Sequence, residues 1–206
     1  MKINRLVSGV GVIQLLIMAI VAISFSSPFV WAGKGNGSGR TALSETEAEM
    51  LTFMREEEKL ARDVYIEMYE MWGAVIFSNI VDSEQKHMDT MEKMVDKYGL
   101  TDPVLPGLGQ FTNEDLQEKY YELVNIGVAS YVDGLYVGAT IEEIDMVDIQ
   151  HAIDVTSHLD ITNAYQNLLE GSKDHLRAYV SALDTQGFTY SPQFISQELF
   201  DAIMGL

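Results

Sequence analysis

Glu84 and His87 stand three residues apart, so one helical face would offer a carboxylate oxygen and an imidazole nitrogen to the same point. Three further residues of the same chemistry, Glu58, Glu142 and His175, lie in other segments, each flanked at helical spacing by apolar residues. Carboxylates bridge two hard cations and neutral imidazoles bind one ion each, a donor set that favours iron, manganese or zinc over calcium. The chain contains no cysteine. Disulfides, thiolate zinc, iron–sulfur clusters and thiol nucleophiles are thereby excluded, leaving Asp, Glu and His as the donors for metal chemistry. Bundles with a two-iron carboxylate centre combine Glu-x-x-His with a Glu from each of two other helices. The expected ligands are therefore Glu58, Glu84, His87, Glu142 and His175 around two irons, with one ion, or manganese or zinc, as the alternatives.

Helices must bring these residues together, and from Ser44 onward the pattern is helical throughout. A first long helix opens on the capping box Ser44-Glu45-Thr46-Glu47 and runs to Gly73. Its seam is Leu51, Met54, Glu58, Ala61, Tyr65, Met68 and Trp72. A second, from Val75 to Tyr98, puts Phe77, Ile80, Glu84, His87, Met91, Met94 and Tyr98 on one face before Gly99 stops it. A third, from Ser130 to Thr156, aligns Leu135, Gly138, Glu142, Asp145, Ile149 and Ala152, although Ile141 and Ile144 argue for a rotated seam. A fourth, with Asp160 as the expected cap, carries Ile161, Tyr165, Leu168, Ser172, His175, Tyr179 and Ala182 up to Gly187.

The second and third long helices are separated by about thirty residues, including a short helix over 113–126, where antiparallel bundle neighbours usually need two to eight. Such a length suits a crossover. A capping signal at Ser196 begins a short amphipathic turn near the C-terminus. The expected fold is all-α: a four-helix bundle whose long helix 2 to helix 3 crossover carries a short extra helix, with a short C-terminal helix packed across one end.

Each long helix thus carries an ionisable residue in its seam, a costly arrangement unless the groups are paired or bind a cation. Neighbours compete for some positions. Met50, Phe53, Leu60 and Val64 would form an adjacent seam containing Glu57 rather than Glu58, and Glu143 competes with Glu142. Asp145 and Glu57 are the additional ligand candidates. Tyr65, Tyr165 and Tyr179 read either as core packing or as phenols hydrogen-bonded to a ligand carboxylate, and Ser172 is the hydroxyl closest in sequence to His175. His151 and His158 read as surface or helix-end residues, Arg62 and Arg177 as partners for excess carboxylates, and the Met residues of the second helix as core rather than a copper site.

With 31 acidic against 13 basic residues and a net charge of −18, the chain lacks the clustered cations of a nucleic-acid surface. Lys2 and Arg5 precede an uncharged run from Leu6 to Phe25, and Val30-Trp31-Ala32 fits a cleavage site. Residues 1–32 are therefore expected to be an export signal, or, as a run of about 20 residues also suffices to span a bilayer, an N-terminal membrane anchor. Either places the rest outside the cytoplasm, whether secreted, periplasmic or on the cell surface. Residues 33–43, rich in Gly, read as a flexible tether, and 44–206 as the bundle domain, with homodimers of bundles left open.

The segments Glu56-Glu57-Glu58-Lys59-Leu60-Ala61-Arg62-Asp63-Val64-Tyr65, Ser83-Glu84-Gln85-Lys86-His87-Met88, Val137-Gly138-Ala139-Thr140-Ile141-Glu142-Glu143-Ile144-Asp145 and Gly171-Ser172-Lys173-Asp174-His175-Leu176-Arg177-Ala178-Tyr179 resemble those of domain-of-unknown-function family 2202 over nearly all of residues 45–206. The resemblance implies a ferritin-like, rubrerythrin-related four-helix bundle and supplies no established reaction. Ferritin-like two-iron sites take a second Glu-x-x-His from the fourth helix, whereas this chain has Ser172-Lys173-Asp174-His175. The missing oxygen would come from Asp145, Glu57, Asp174 or solvent. Two functions are compatible with these residues. One is an oxidoreductase using oxygen or peroxide at an iron or mixed-metal site, as an oxidase, ferroxidase or peroxide reductase. The other is a binding module without turnover, sequestering or sensing metal at a mononuclear or incomplete site.

Overall fold

The structure is a computed structural model that describes residues 42–206. The expected export segment 1–32 and nearly all of the expected tether lie outside the described residues. Six helices and no strands make up the described chain: α1 Glu45–Trp72, α2 Val75–Tyr98, α3 Glu114–Gly127, α4 Tyr131–Val155, α5 Leu159–Thr185 and α6 Gln197–Met204. None of them is long and apolar enough to cross a membrane.

Local chemistry sets the boundaries. Ser44 and Glu47 form the reciprocal capping box of α1, with the Glu47 amide 3.2 Å from Ser44 Oγ and the Ser44 amide 2.8 Å from Glu47 Oε2. Gly73 ends α1 in the left-handed region at φ 61°, where only a glycine fits without strain. Gly73 and Ala74 alone separate α1 from α2, and the two helices run antiparallel. Thr156 to His158 reverse the chain in the same way between α4 and α5. Asp160, expected as the α5 cap, sits inside the first turn, where it accepts from Lys97 and Tyr98 of α2 at 2.5 and 2.9 Å. The cap position falls to His158, which has no side-chain cap bond.

Contacts between the two hairpins fix their relation. Glu47 meets Ser157, and Tyr65 meets Glu142, so α1 descends as α4 ascends. Lys97 meets Asp160 and Phe77 meets Tyr179, so α2 and α5 are likewise antiparallel. Every neighbour in the four-helix bundle of α1, α2, α4 and α5 is therefore antiparallel, and one long crossover carrying α3 joins α2 to α4, as in bundles with a single long connection.

The crossover is tied down by buried charges of α1. Asp63 accepts the Gly109 amide at 2.8 Å and is paired with Lys59 and Arg62, while Lys59 Nζ also donates to Gly107 O at 2.9 Å and lies over the Phe111 ring. Glu56 accepts the amides of Thr112 and Asn113 at the entrance to α3. With α2, α3 and α4 covering α1 on different sides, residues from Phe53 to Ala61 are buried without interruption. The same is true of α4 from Gly134 to Met146, which explains why two seams compete there in the sequence. Glu143, on the face of α4 away from the bundle centre, accepts the amides of Gln193, Phe194 and Ile195 at 2.6–3.1 Å and holds the approach to α6.

Candidate metal centre

At the bundle centre the seam residues of all four long helices converge. Glu84 stands between the two imidazoles: its Oε2 lies 2.9 Å from His87 Nδ1 and its Oε1 2.8 Å from His175 Nδ1. Glu58 Oε2 is 3.1 Å from His87 Nδ1, and Glu142 Oε2 is 3.3 Å from His175 Nδ1. Two donor groups result, Glu58 with Glu84 and His87, and Glu84 with Glu142 and His175. Within each group the donor atoms lie within 4.8 Å of one another. Donors on opposite sides of one ion with bonds of about 2 Å are about 4 Å apart, so modest side-chain closure suits each group to an ion. All five residues expected from the sequence meet here, with the three carboxylates no more than 1% exposed.

The donor set also passes a stricter test. Glu58 Oε1 is buried without a hydrogen-bond partner, as is Oδ1 of Asp145, a carboxylate outside both donor groups, and carboxylate oxygens are rarely left so unless a cation or water takes them. Asp145 is held by Ser172, whose Oγ donates to Oδ2 at 2.5 Å. Glu57, the rival of Glu58, is turned to a different side: it lines a small cavity with Leu60, Lys119, Leu123, Ile141 and Ile144, between α1, α3 and α4. Asp174 is exposed and paired with Arg177.

The phenols divide. Tyr65 donates to Glu142 Oε1 at 2.6 Å and so orients a donor carboxylate. Tyr179 packs on Tyr65 with ring centroids 5.4 Å apart, in space that Gly138 leaves by lacking a Cβ. Tyr165 is buried farther down α5, where the charge that acts on it is that of Glu47. His158 pairs with Glu47 at the end of the bundle, Arg62 with Asp63, and Met54, Met68, Met88 and Met91 are core.

Charge is distributed across this centre in a definite way. Burial opposes protonation of His87 and His175, yet the carboxylates Glu58 and Glu84 around the first and Glu142 and Glu84 around the second raise them to about 12 and about 11. Burial by itself would raise Glu84, but the hydrogen bonds from His175 and His87 lower it to about 2. Burial raises Glu58 to about 8 against the pull of His87. Without an ion, the surrounding carboxylates thus favour the protonated form of both imidazoles.

Gly171 sits beside this arrangement. A Cβ there would come within 2.5 Å of His87 Nε2, while Nδ1 of the same ring faces Glu58 and Glu84. Gly171→Ala is expected to leave thermal stability within about 1 kcal/mol, since Ala favours the helix by about that amount, while weakening metal binding at the candidate group that includes His87 about tenfold or more. Calorimetric metal titration beside a melting curve checks it, and unchanged metal affinity would refute the close approach.

A family model described as an uncharacterized protein domain, DUF2202, matches residues 47–205. The uncharacterized protein MJ0754 of Methanocaldococcus jannaschii is 47% identical over 163 residues, spanning 79% of this chain and 88% of that protein. The crystal structure of hypothetical protein MJ0754 from Methanococcus jannaschii DSM 2661 matches at a TM-score of 0.80 and 44% identity, over 83% of this chain and 98% of that one.

Proposed function

The chain belongs to the DUF2202 family, and from that premise we propose that it is an exported, ferritin-like protein that binds two metal ions, iron foremost, at the centre of its bundle. Manganese and zinc suit the same donors. The observation that carries the reading is Glu84, with one oxygen toward each imidazole and membership of both donor groups. Glu58 and His87 would hold one ion and Glu142 and His175 the other.

Bound iron would supply a one-electron couple for reducing oxygen or peroxide at the expense of Fe(II) or another small reductant. The chain's own part is to set charge and exclude water. Tyr65 fixes Glu142, and Tyr179 and Phe77 close the apolar wall behind it. A second reading, a binding module that sequesters or senses metal without turnover, is favoured by Ser172, which withholds the carboxylate a symmetric site would have on α5.

Anaerobic titration of metal-free protein with Fe(II), Mn(II) and Zn(II), followed by gel filtration and elemental analysis, is expected to find two ions per chain. Retention of none would sink the proposal. Consumption of oxygen or peroxide by the Fe(II)-loaded protein supports the redox reading, and two stably held ions without consumption support the binding module.

Binding is also expected to release protons. Because His87 and His175 are raised from 6.5 to about 12 and about 11 without metal, each must lose a proton before its nitrogen can ligate. Apparent affinity should therefore tighten with pH over the neutral range, by about tenfold per pH unit for each proton that an ion displaces. Metal-free stability runs the other way: the imidazolium contribution is complete below 6.5 and is lost as pH rises toward those raised values. Zinc titrations and melting curves from pH 6 to 8 test both signs, and affinity that does not change with pH would contradict the charged metal-free centre.

A further inference from the structure

The two hairpins contribute to the centre almost symmetrically. α1 supplies Glu58 and α4 supplies Glu142; α2 and α5 supply His87 and His175. The symmetry fails at one residue. One turn before His87 stands Glu84, whereas one turn before His175 stands Ser172.

A fourth carboxylate is nevertheless present, on the facing helix. Asp145, one turn after Glu142 on α4, is 4% exposed and meets Ser172, whose Oγ donates to Oδ2 at 2.5 Å and is also 3.1 Å from Leu168 O. The hydroxyl is thus spent on holding Asp145 and is itself fully buried. The other oxygen of Asp145, Oδ1, is buried and has no hydrogen-bond partner. The largest charges acting on Asp145 are those of Glu58, Glu142 and Glu84, and the Asp145–Ser172 pair lies one helical turn from the Glu142–His175 pair on the same two helices.

Charge balance gives this carboxylate a role. Two divalent ions with neutral imidazoles and only Glu58, Glu84 and Glu142 would leave an uncompensated positive charge in a dry core, which is costly. A fourth carboxylate makes the buried assembly neutral. We propose that Asp145 is a ligand of this centre, delivered from α4 in place of the carboxylate that α5 lacks, and that Ser172 is the positioning residue that holds its far oxygen so that Oδ1 faces the ions. The inference rests on the two-ion reading above and names the residue that completes it.

Zn(II) and Mn(II) titrations of full-length variants, read by stoichiometry and calorimetry, separate the two levels. Asp145→Asn keeps the shape and is expected to retain one ion per chain and to bind the second more than about 100-fold more weakly, beyond the usual effect of losing an outer partner. Ser172→Ala should keep two ions and weaken the second about 10- to 100-fold, as loss of an orienting hydrogen bond does. The double variant Asp145→Ser with Ser172→Glu returns the carboxylate to α5 and should restore tight binding of two ions. Two tightly held ions in Asp145→Asn, beside two in the unaltered protein, would overturn the inference and leave the two-ion reading standing. No ions in the unaltered protein would overturn the reading itself. Should Asp145→Asn fail to fold, the double variant decides: two ions support the proposal and one overturns it.

Discussion

Glu84→Gln is expected to empty both ion positions at once, whereas Glu58→Gln and Glu142→Gln should each empty only one. The difference follows from where the oxygens go. Glu58 reaches the first imidazole and Glu142 the second, but Glu84 faces His87 with one oxygen and His175 with the other. An amide keeps the volume and removes the charge, and its nitrogen presents a donor where an ion needs an acceptor. The substitution also reaches the metal-free protein, because Glu84, lowered to about 2 by its two imidazole partners, is 1% exposed. Losing such a charge-assisted buried hydrogen bond costs about 1.5–3 kcal/mol. Elemental analysis after saturation with Fe(II) or Zn(II) should count no ions in this variant and one in each of the others. Two ions retained by Glu84→Gln would show that the shared position has been assigned to the wrong residue.

Asp63→Ala is expected to be the most destabilising single change outside the centre, at about 3–5 kcal/mol, the cost of breaking a buried ion pair from one side. Asp63 has no exposed surface and serves three donors: Lys59, Arg62 and the Gly109 amide. Removing it leaves Lys59, 1% exposed, without its paired carboxylate and facing the Gly107 carbonyl, the Phe111 ring and the charge of Glu56. For a domain of this size the melting temperature should fall on the order of 10 °C. Pairing the change with Lys59→Met removes the stranded charge and should recover part of the loss, a coupling that a double-mutant cycle measures. A single variant that loses less than about 1 kcal/mol would mean that the crossover is anchored elsewhere.

The candidate centre was largely legible because an ionisable residue among apolar neighbours at helical spacing stands out, and Glu58, Glu84, His87, Glu142 and His175 all do. The helix boundaries were legible for a related reason: Ser44, Gly73, Gly99 and Ser196 are terminators with specific backbone chemistry. What could not be read was which of two buried faces points inward. Periodicity separates core from solvent, and α1 and α4 meet protein on nearly every side, so Glu57 and Glu58 look alike until the crossover is placed. The pairing of Ser172 with Asp145 depends on how closely α4 and α5 approach, which a single sequence does not encode. The anchors Glu47, Glu56, Asp63 and Glu143 were missed as anchors because acids on a helix usually face water. Their signal was the density of charge in Glu56-Glu57-Glu58-Lys59 and Arg62-Asp63 between apolar residues that already claimed every face.

Those anchors bear on how the chain folds. Asp63 binds an amide 46 positions away, Glu56 one 56 away and Glu47 one 110 away, while Tyr65 meets Glu142 across 77. Helical bundles ordinarily fold fast because their contacts are local. Here the first helix gains these particular contacts only after long loops have closed, so the amides they bind are satisfied late, and folding should be slow for an all-helical protein.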